Sequence, residues 1–194
     1  MNLTVAGTGY VGLVTGTGFA NLGNKVICFD IDNAKLDELT AGELTIYEPG
    51  LEEIFKRNLK AGRLVFTSDI KKAVRESDII LICVGTPSNH LQEADLTAVE
   101  NVAMRIGKFM NRYKVVVNKS TVPVGTAELV RNIIKANQRK EFDFDVVSNP
   151  EFLREGAAVK DTLYPDRIVV GIEKNSVKKT IKKIYKPFVK KDHP

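Results

Sequence analysis

An α/β fold built on a doubly wound, mostly parallel sheet with helices on both faces is predicted by three features of the chain. Apolar strand-like runs alternate with amphipathic helical runs along its whole length. Ile79-Ile80-Leu81-Ile82-Cys83-Val84 is apolar at every position, as a central strand buried on both faces requires. The first strand runs into Gly7-Thr8-Gly9-Tyr10-Val11-Gly12, a glycine-spaced turn that opens a helix. At 194 residues the chain is sized for one such domain, able to bury a core without disulfides or metals.

The pattern predicts strands at 2–7, 25–30, 64–67, 78–84, 114–119, 144–148 and 167–171. Helices are expected near 11–22, 33–41, 50–60, 69–75, 96–111, 126–137, 155–160 and 175–186. The first helix carries Gly16 and Ala20 at four-residue spacing, a small-residue face suited to lying on a sheet. Gly23 ends it, the expected place for a left-handed residue. Val26-Ile27-Cys28-Phe29 is the second apolar strand, closed by Asp30. Thr126 reads as a helix cap, with Glu128 favoured by the dipole in the first turn. Asn149-Pro150-Glu151 reads likewise as a cap, a first-turn proline and an acid. In the last helix Val177, Ile181, Ile184, Tyr185 and Phe188 recur at helical spacing, and Pro187 should end it.

Bulk properties narrow the function classes. The net charge of +5 is concentrated beyond Ile172, where eight lysines face only Glu173 and Asp192. The lysines fall on the faces opposite the apolar stripe, so a solvated surface helix accounts for them without nucleic acid. No run has the length of a membrane span, and no signal peptide is evident. Cys28 and Cys83 lie inside apolar strand patterns, as buried thiols of a cytoplasmic protein. His90 and His193 carry no partner signal, and no metal-ligand spacing is present.

The order strand, Gly-x-Gly-x-x-Gly, helix, strand, acid is the physical recipe for gripping a dinucleotide in a Rossmann-type domain. Gly7 allows the tight turn, Gly9 lets the backbone approach a pyrophosphate, and Gly12 brings the helix close to the strand. Asp30 would accept hydrogen bonds from ribose hydroxyls and repel a 2′-phosphate, so the cofactor reads as NAD rather than NADP. The other polar clusters also follow strand ends: Gly85-Thr86-Pro87, Ser120 through Thr126, and Ser148 through Gly156. These loops should converge on one crevice.

Together with Tyr47-Glu48-Pro49-Gly50-Leu51 and Pro165 through Gly171, those motifs resemble the NAD-binding domain of the UDP-glucose/GDP-mannose dehydrogenase family. The likeness covers the chain from first strand to last helix, and Pro165 through Gly171 looks more like the UDP-glucose branch. The resemblance implies a two-step, four-electron oxidation: UDP-glucose, two NAD and water to UDP-glucuronate and two NADH. It implies Val11, Asp30, Lys35, Thr86, Thr121 and Glu155 as cofactor contacts, beside Gly7, Gly9 and Gly12. It implies Thr121 and Glu151 as the catalytic pair around a water and the C6 hydroxyl. Glu151, Phe152, Leu153, Arg154 and Glu155 would border the sugar. Read from the residues alone, each has a plainer role: Thr121 in a turn before Pro123, Glu151 as a helix-dipole acid, Glu155 paired with Arg154 or Lys160, Lys35 solvated.

By the same resemblance, residues 1–194 form the NAD-binding domain alone. The family's central helix and carboxyl-terminal domain, with its nucleophilic cysteine, have no counterpart. The expectation is therefore NAD binding with negligible turnover of UDP-glucose, since neither Cys28 nor Cys83 sits in a nucleophile's setting. GDP-mannose and UDP-N-acetylmannosamine dehydrogenases, and a non-catalytic NAD-binding module, stay open as alternatives. Apolar surface that the second half would cover leaves a homodimer open as well.

Overall fold

The computed structural model describes residues 1–88, 90 and 92–189, so His193 lies outside the described residues. Six strands form one sheet: β1 (Asn2–Ala6), β2 (Lys25–Phe29), β3 (Leu64–Thr67), β4 (Ile79–Ile82), β5 (Lys114–Asn118) and β6 (Phe144–Ser148). Their order is β3-β2-β1-β4-β5-β6, and every strand pair is parallel. The helices are α1 (Tyr10–Asn21), α2 (Asn33–Ala41), α3 (Leu51–Lys60), α4 (Ile70–Glu76), α5 (Thr97–Phe109), α6 (Thr126–Asn137), α7 (Ala158–Leu163) and α8 (Asn175–Tyr185). This is the doubly wound Rossmann arrangement, with the order reversing between β1 and β4.

Strand alternation sends side chains into two separate cores. Val5, Cys28, Leu81 and Val117 face α1, α3 and α8, meeting Leu13, Phe55 and Ile181. Ile27, Ile80, Ile82 and Val116 face α4, α5 and α6, meeting Val74, Ile106 and Ile134. The small face of α1 does what its spacing predicts: a Cβ on Gly16 would stand 2.8 Å from Cys28 Sγ. Gly23 takes φ +85° just beyond that helix. On α8, Val177, Ile181, Ile184 and Tyr185 are buried, while Lys178, Lys179, Lys182 and Lys183 are exposed. Among the described residues no helix is long and apolar enough to cross a membrane.

Five local expectations are corrected. The segment 167–171 is not a seventh strand but a single antiparallel bridge, Gly171 with Ser148. Thr126 does not cap α6; Gly125 occupies that position at φ +94°, and the Thr126 hydroxyl donates to Pro123 O at 2.8 Å. Asn149-Pro150-Glu151 starts no helix, because the Asn149 side chain is spent on Val169 O, Lys119 and Tyr185. The helix expected at 155–160 begins instead at Ala158, whose amide finds its acceptor in Glu48, far away in sequence. The central strand also stops at Ile82 rather than Val84, because the amides of Lys119 and Ser120 both turn onto Ile82 O.

At the amino-terminal end of β5, Lys114 is completely buried and donates to Ser77 O at 2.6 Å. Burial, with Arg112 adding to it, pulls its pKa from 10.5 to about 8. The unfolded chain therefore binds more protons between those two values, and this lysine's contribution to stability rises with pH across that window. Burial pushes both thiols above this window, so they titrate in it only in the unfolded chain and with opposite sign; the difference from Lys114→Met is the clean measure. In urea unfolding, wild type should gain about 2 kcal/mol on the variant between pH 7.5 and 10. A constant difference would show that the lysine titrates normally.

Candidate functional site

Loops from the carboxyl ends of β1, β2 and β4 meet where the strand order reverses and enclose a first cleft of about 620 Å³. Its walls include Gly7, Gly9, Asp30, Lys35, Gly85 and Arg105. Gly7 stands at φ +100°, and a Cβ there would lie 2.6 Å from Cys83 O. A Cβ on Gly12 would lie 1.9 Å from Gly7 O, so only glycine lets α1 start this close to the strand. Over Gly9 the space is open, with nothing within 4 Å of a built Cβ. Gly9 caps α1 without a side-chain bond, and no acid sits in the first turn, which leaves the first amides for an anion.

Asp30 follows β2 and turns into this loop. Its Oδ2 accepts from Thr8 N at 2.7 Å and Thr8 Oγ1 at 2.6 Å, and its Oδ1 from Ile31 N at 2.8 Å. Lys35 Nζ stands 3.8 Å from Oδ2. Burial would raise the carboxyl's pKa, but the Thr8 and Asp32 hydrogen bonds and the Lys35 charge outweigh it and hold it below the usual aspartate range. A carboxylate thus sits ionised beside the glycine turn, and the Thr8 hydroxyl is the one rotatable donor among its hydrogen-bond partners.

A second cleft, about 270 Å³, lies between α1, the ends of β5 and β6, and α8. Glu151, Phe152, Leu153 and Arg154 line it, with Lys119 and Asn149 on its wall. Glu151 Oε2 accepts from Leu153 N at 2.6 Å. Arg154 grips Asp161 through two nitrogens, at 3.0 and 2.6 Å, and so does not pair with Glu155. The segment is anchored by Glu48, buried beneath it, which accepts from Gly156 N at 2.9 Å, Ala158 N at 2.8 Å and the Tyr10 hydroxyl.

The structure brings Gly7, Gly9, Asp30 and Lys35 to the first cleft and Glu151 through Arg154 to the second. Gly12 is buried beneath the turn, and Val11 packs against the core. Thr86, Thr121 and Glu155 line neither cleft; the Thr86 hydroxyl donates to Thr121 O at 2.7 Å. Cys83 lines the first cleft, and its buried, neutral thiol lies within reach of the charges of Lys119 and Glu151 of the second. Sequence reasoning missed Glu48, Lys119 and Thr8 as parts of the site. Glu48 and Lys119 stand in or beside quoted motifs, but no local pattern marks one charge as buried and the other as half-buried. Among the described residues no group of His, Cys, Asp or Glu is placed to hold a metal ion.

The model for "UDP-glucose/GDP-mannose dehydrogenase family, NAD binding domain" matches residues 1–189. The chain is 52% identical over 186 residues to UDP-glucose 6-dehydrogenase TuaD of Bacillus subtilis (strain 168), covering 96% of this chain and 40% of that protein. A UDP-glucose dehydrogenase structure from Pyrobaculum islandicum superposes with TM-score 0.93 at 43% identity, over 100% of this chain and 45% of that one. A ternary complex of GDP-mannose dehydrogenase from Pseudomonas aeruginosa gives TM-score 0.91 at 38% identity, over 96% and 44%. The chain thus spans somewhat under half the length of the relatives it matches.

Proposed function

The chain belongs to the UDP-glucose/GDP-mannose dehydrogenase family and carries its NAD-binding domain; from that premise we propose that it is the cofactor-binding half of a UDP-glucose 6-dehydrogenase. The reading is carried by the ionised Asp30 carboxylate bonded to the glycine turn. Substrate choice is supported by identity, which is 52% to a relative named UDP-glucose 6-dehydrogenase and 38% to the GDP-mannose enzyme.

The residues fit a dinucleotide. The amides at the start of α1 would hold the pyrophosphate over Gly9, and Asp30 would hold the adenosine ribose, with Lys35 beside it. NAD, when bound, supplies the hydride acceptor. The chain's own part is to place and deprotonate. The smaller second cleft would take the sugar, bordered by Glu151 through Arg154. Glu151, an acceptor turned by Leu153 N, would take the C6 hydroxyl proton directly or through water. Thr121 is proposed to share that water with Glu151, Glu155 to border both sugar and cofactor, and Val11 and Thr86 to contact the cofactor.

The thiols limit what these residues do alone. Burial pushes both Cys28 and Cys83 upward, Cys83 to about 12, so neither is a thiolate at pH 7. The expected result with NAD and a panel of UDP-glucose, GDP-mannose and UDP-N-acetylmannosamine is NAD binding, preference for UDP-glucose, and no accumulation of UDP-glucuronate. Steady production of UDP-glucuronate by the 194-residue chain would overturn the half-site reading. Tighter binding of GDP-mannose would overturn the substrate.

A further inference from the structure

Lys119 has no task in the function proposed above. It follows β5 directly and lines the second cleft with Asn149, Glu151 and Tyr185. Among the described residues its ammonium makes one hydrogen bond, a long one of 3.4 Å to Asn149 Oδ1, and no ion pair. That acceptor also receives the Tyr185 hydroxyl, and the Asn149 amide is fixed on Val169 O at 2.8 Å. The cation is therefore steered by a rigid acceptor while two of its protons stay unspent.

Its surroundings are costly for a charge. Burial pulls its pKa below the usual lysine range, opposed by Cys83 and Glu151. Cys83 is a neutral thiol at pH 7, so Glu151 is the anion that answers it. Glu151 spends one oxygen on Leu153 N, and the other makes no hydrogen bond among the described residues. An ammonium and a carboxylate thus line one cleft without touching. Partly buried charges held apart in this way are costly unless something sits between them. An oxygen that donates to the carboxylate and accepts from the ammonium satisfies both, which describes an alcohol losing its proton.

We propose that Lys119 is a further functional residue of this cleft: held by Asn149 in the cleft that Glu151 also lines, it receives the C6 oxygen of the bound sugar and favours that oxygen as it becomes anionic. This rests on reading the second cleft as the sugar site. Removing the charge should weaken a ligand with an anionic C6 group more than one with a C6 alcohol.

The test is calorimetry on the 194-residue chain with NAD present, using UDP-glucuronate and UDP-glucose as probes. In Lys119→Met the affinity ratio of carboxylate to alcohol should fall about tenfold or more, the size of one lost charge-assisted hydrogen bond. Lys119→Arg should keep the ratio within about threefold of wild type. NAD affinity, which belongs to the other cleft, should be preserved in both; Lys119→Gln replaces the Met variant if that one does not fold. An unchanged ratio in a folded, NAD-binding Lys119→Met protein overturns the role of Lys119 and leaves the sugar site standing. Failure of wild type to bind either nucleotide sugar overturns the sugar site, and Lys119 with it.

Discussion

Replacing Asp30 by alanine is expected to weaken NAD binding by two to three orders of magnitude while leaving NADP binding almost unchanged. The size follows from the state of the carboxylate. Thr8, Asp32 and Lys35 keep it ionised against the cost of burial, and a hydrogen bond to an ionised acceptor contributes about 1.5–3 kcal/mol. Two ribose hydroxyls donating to it would account for about 3–4 kcal/mol, or a factor of several hundred in affinity. In NADP the 2′-phosphate is repelled by that carboxylate while the remaining 3′-hydroxyl still bonds to it, so its loss removes repulsion and bonding together and the two offset. The preference for NAD should collapse in the variant.

Asp30→Asn separates charge from shape. An amide keeps one acceptor oxygen for Thr8 N but places a donor where an acceptor is needed. The asparagine variant should therefore fold like wild type and still lose most of the discrimination against NADP. Because the folded-state pKa of Asp30 is depressed, its stabilising contacts are complete above about pH 3.8 and fade only as pH falls through the lower folded value. NAD affinity across pH 5 to 9 should accordingly show no step from this residue. Calorimetric titration of both cofactors against the three proteins checks each point. Retained NAD preference in Asp30→Ala would remove the basis for the cofactor assignment.

What the sequence exposed and what it hid follow one physical line. The glycine turn, Asp30 and the apolar strands are legible because their signals are local: steric need at Gly7 and Gly12, two-faced burial in β4, a carboxylate one residue past β2. The placement of 149–158 was not legible, because its hydrogen-bond partners come from remote elements. Asn149 has the residue type of a helix cap, yet Val169, Tyr185 and Lys119 take its side chain. Residues 167–171 have the composition of a strand, but among the described residues only Gly171 finds a backbone partner, at Ser148. Lys119 and Glu48 look like ordinary surface charges in one dimension; in three, Glu48 is buried and Lys119 half-buried.

Glu48→Ala is expected to cost about 3–5 kcal/mol of folding stability. The carboxylate is buried and gathers the Tyr10 hydroxyl with the amides of Gly156 and Ala158. Burial would raise its pKa, but those donors outweigh that and hold it below the usual glutamate range. Its contribution is thus complete above about pH 4.5 and is lost as pH falls through the folded value, so the variant should lack part of the acid-unfolding limb of wild type. Truncation strands the donors rather than removing a contact between free groups, which is why the cost exceeds that of one hydrogen bond. Tyr10 is the first residue of α1, beside the glycine turn, and Gly156 and Ala158 end the segment bordering the second cleft. Glu48 therefore couples the two clefts mechanically. Tyr10→Phe alone should cost about 1–2 kcal/mol, and much less when added to Glu48→Ala. Strict additivity in that cycle would mean that the tyrosine and the carboxylate act independently. In the alanine variant, amide exchange at Gly156 and Ala158 should accelerate well before the sheet opens.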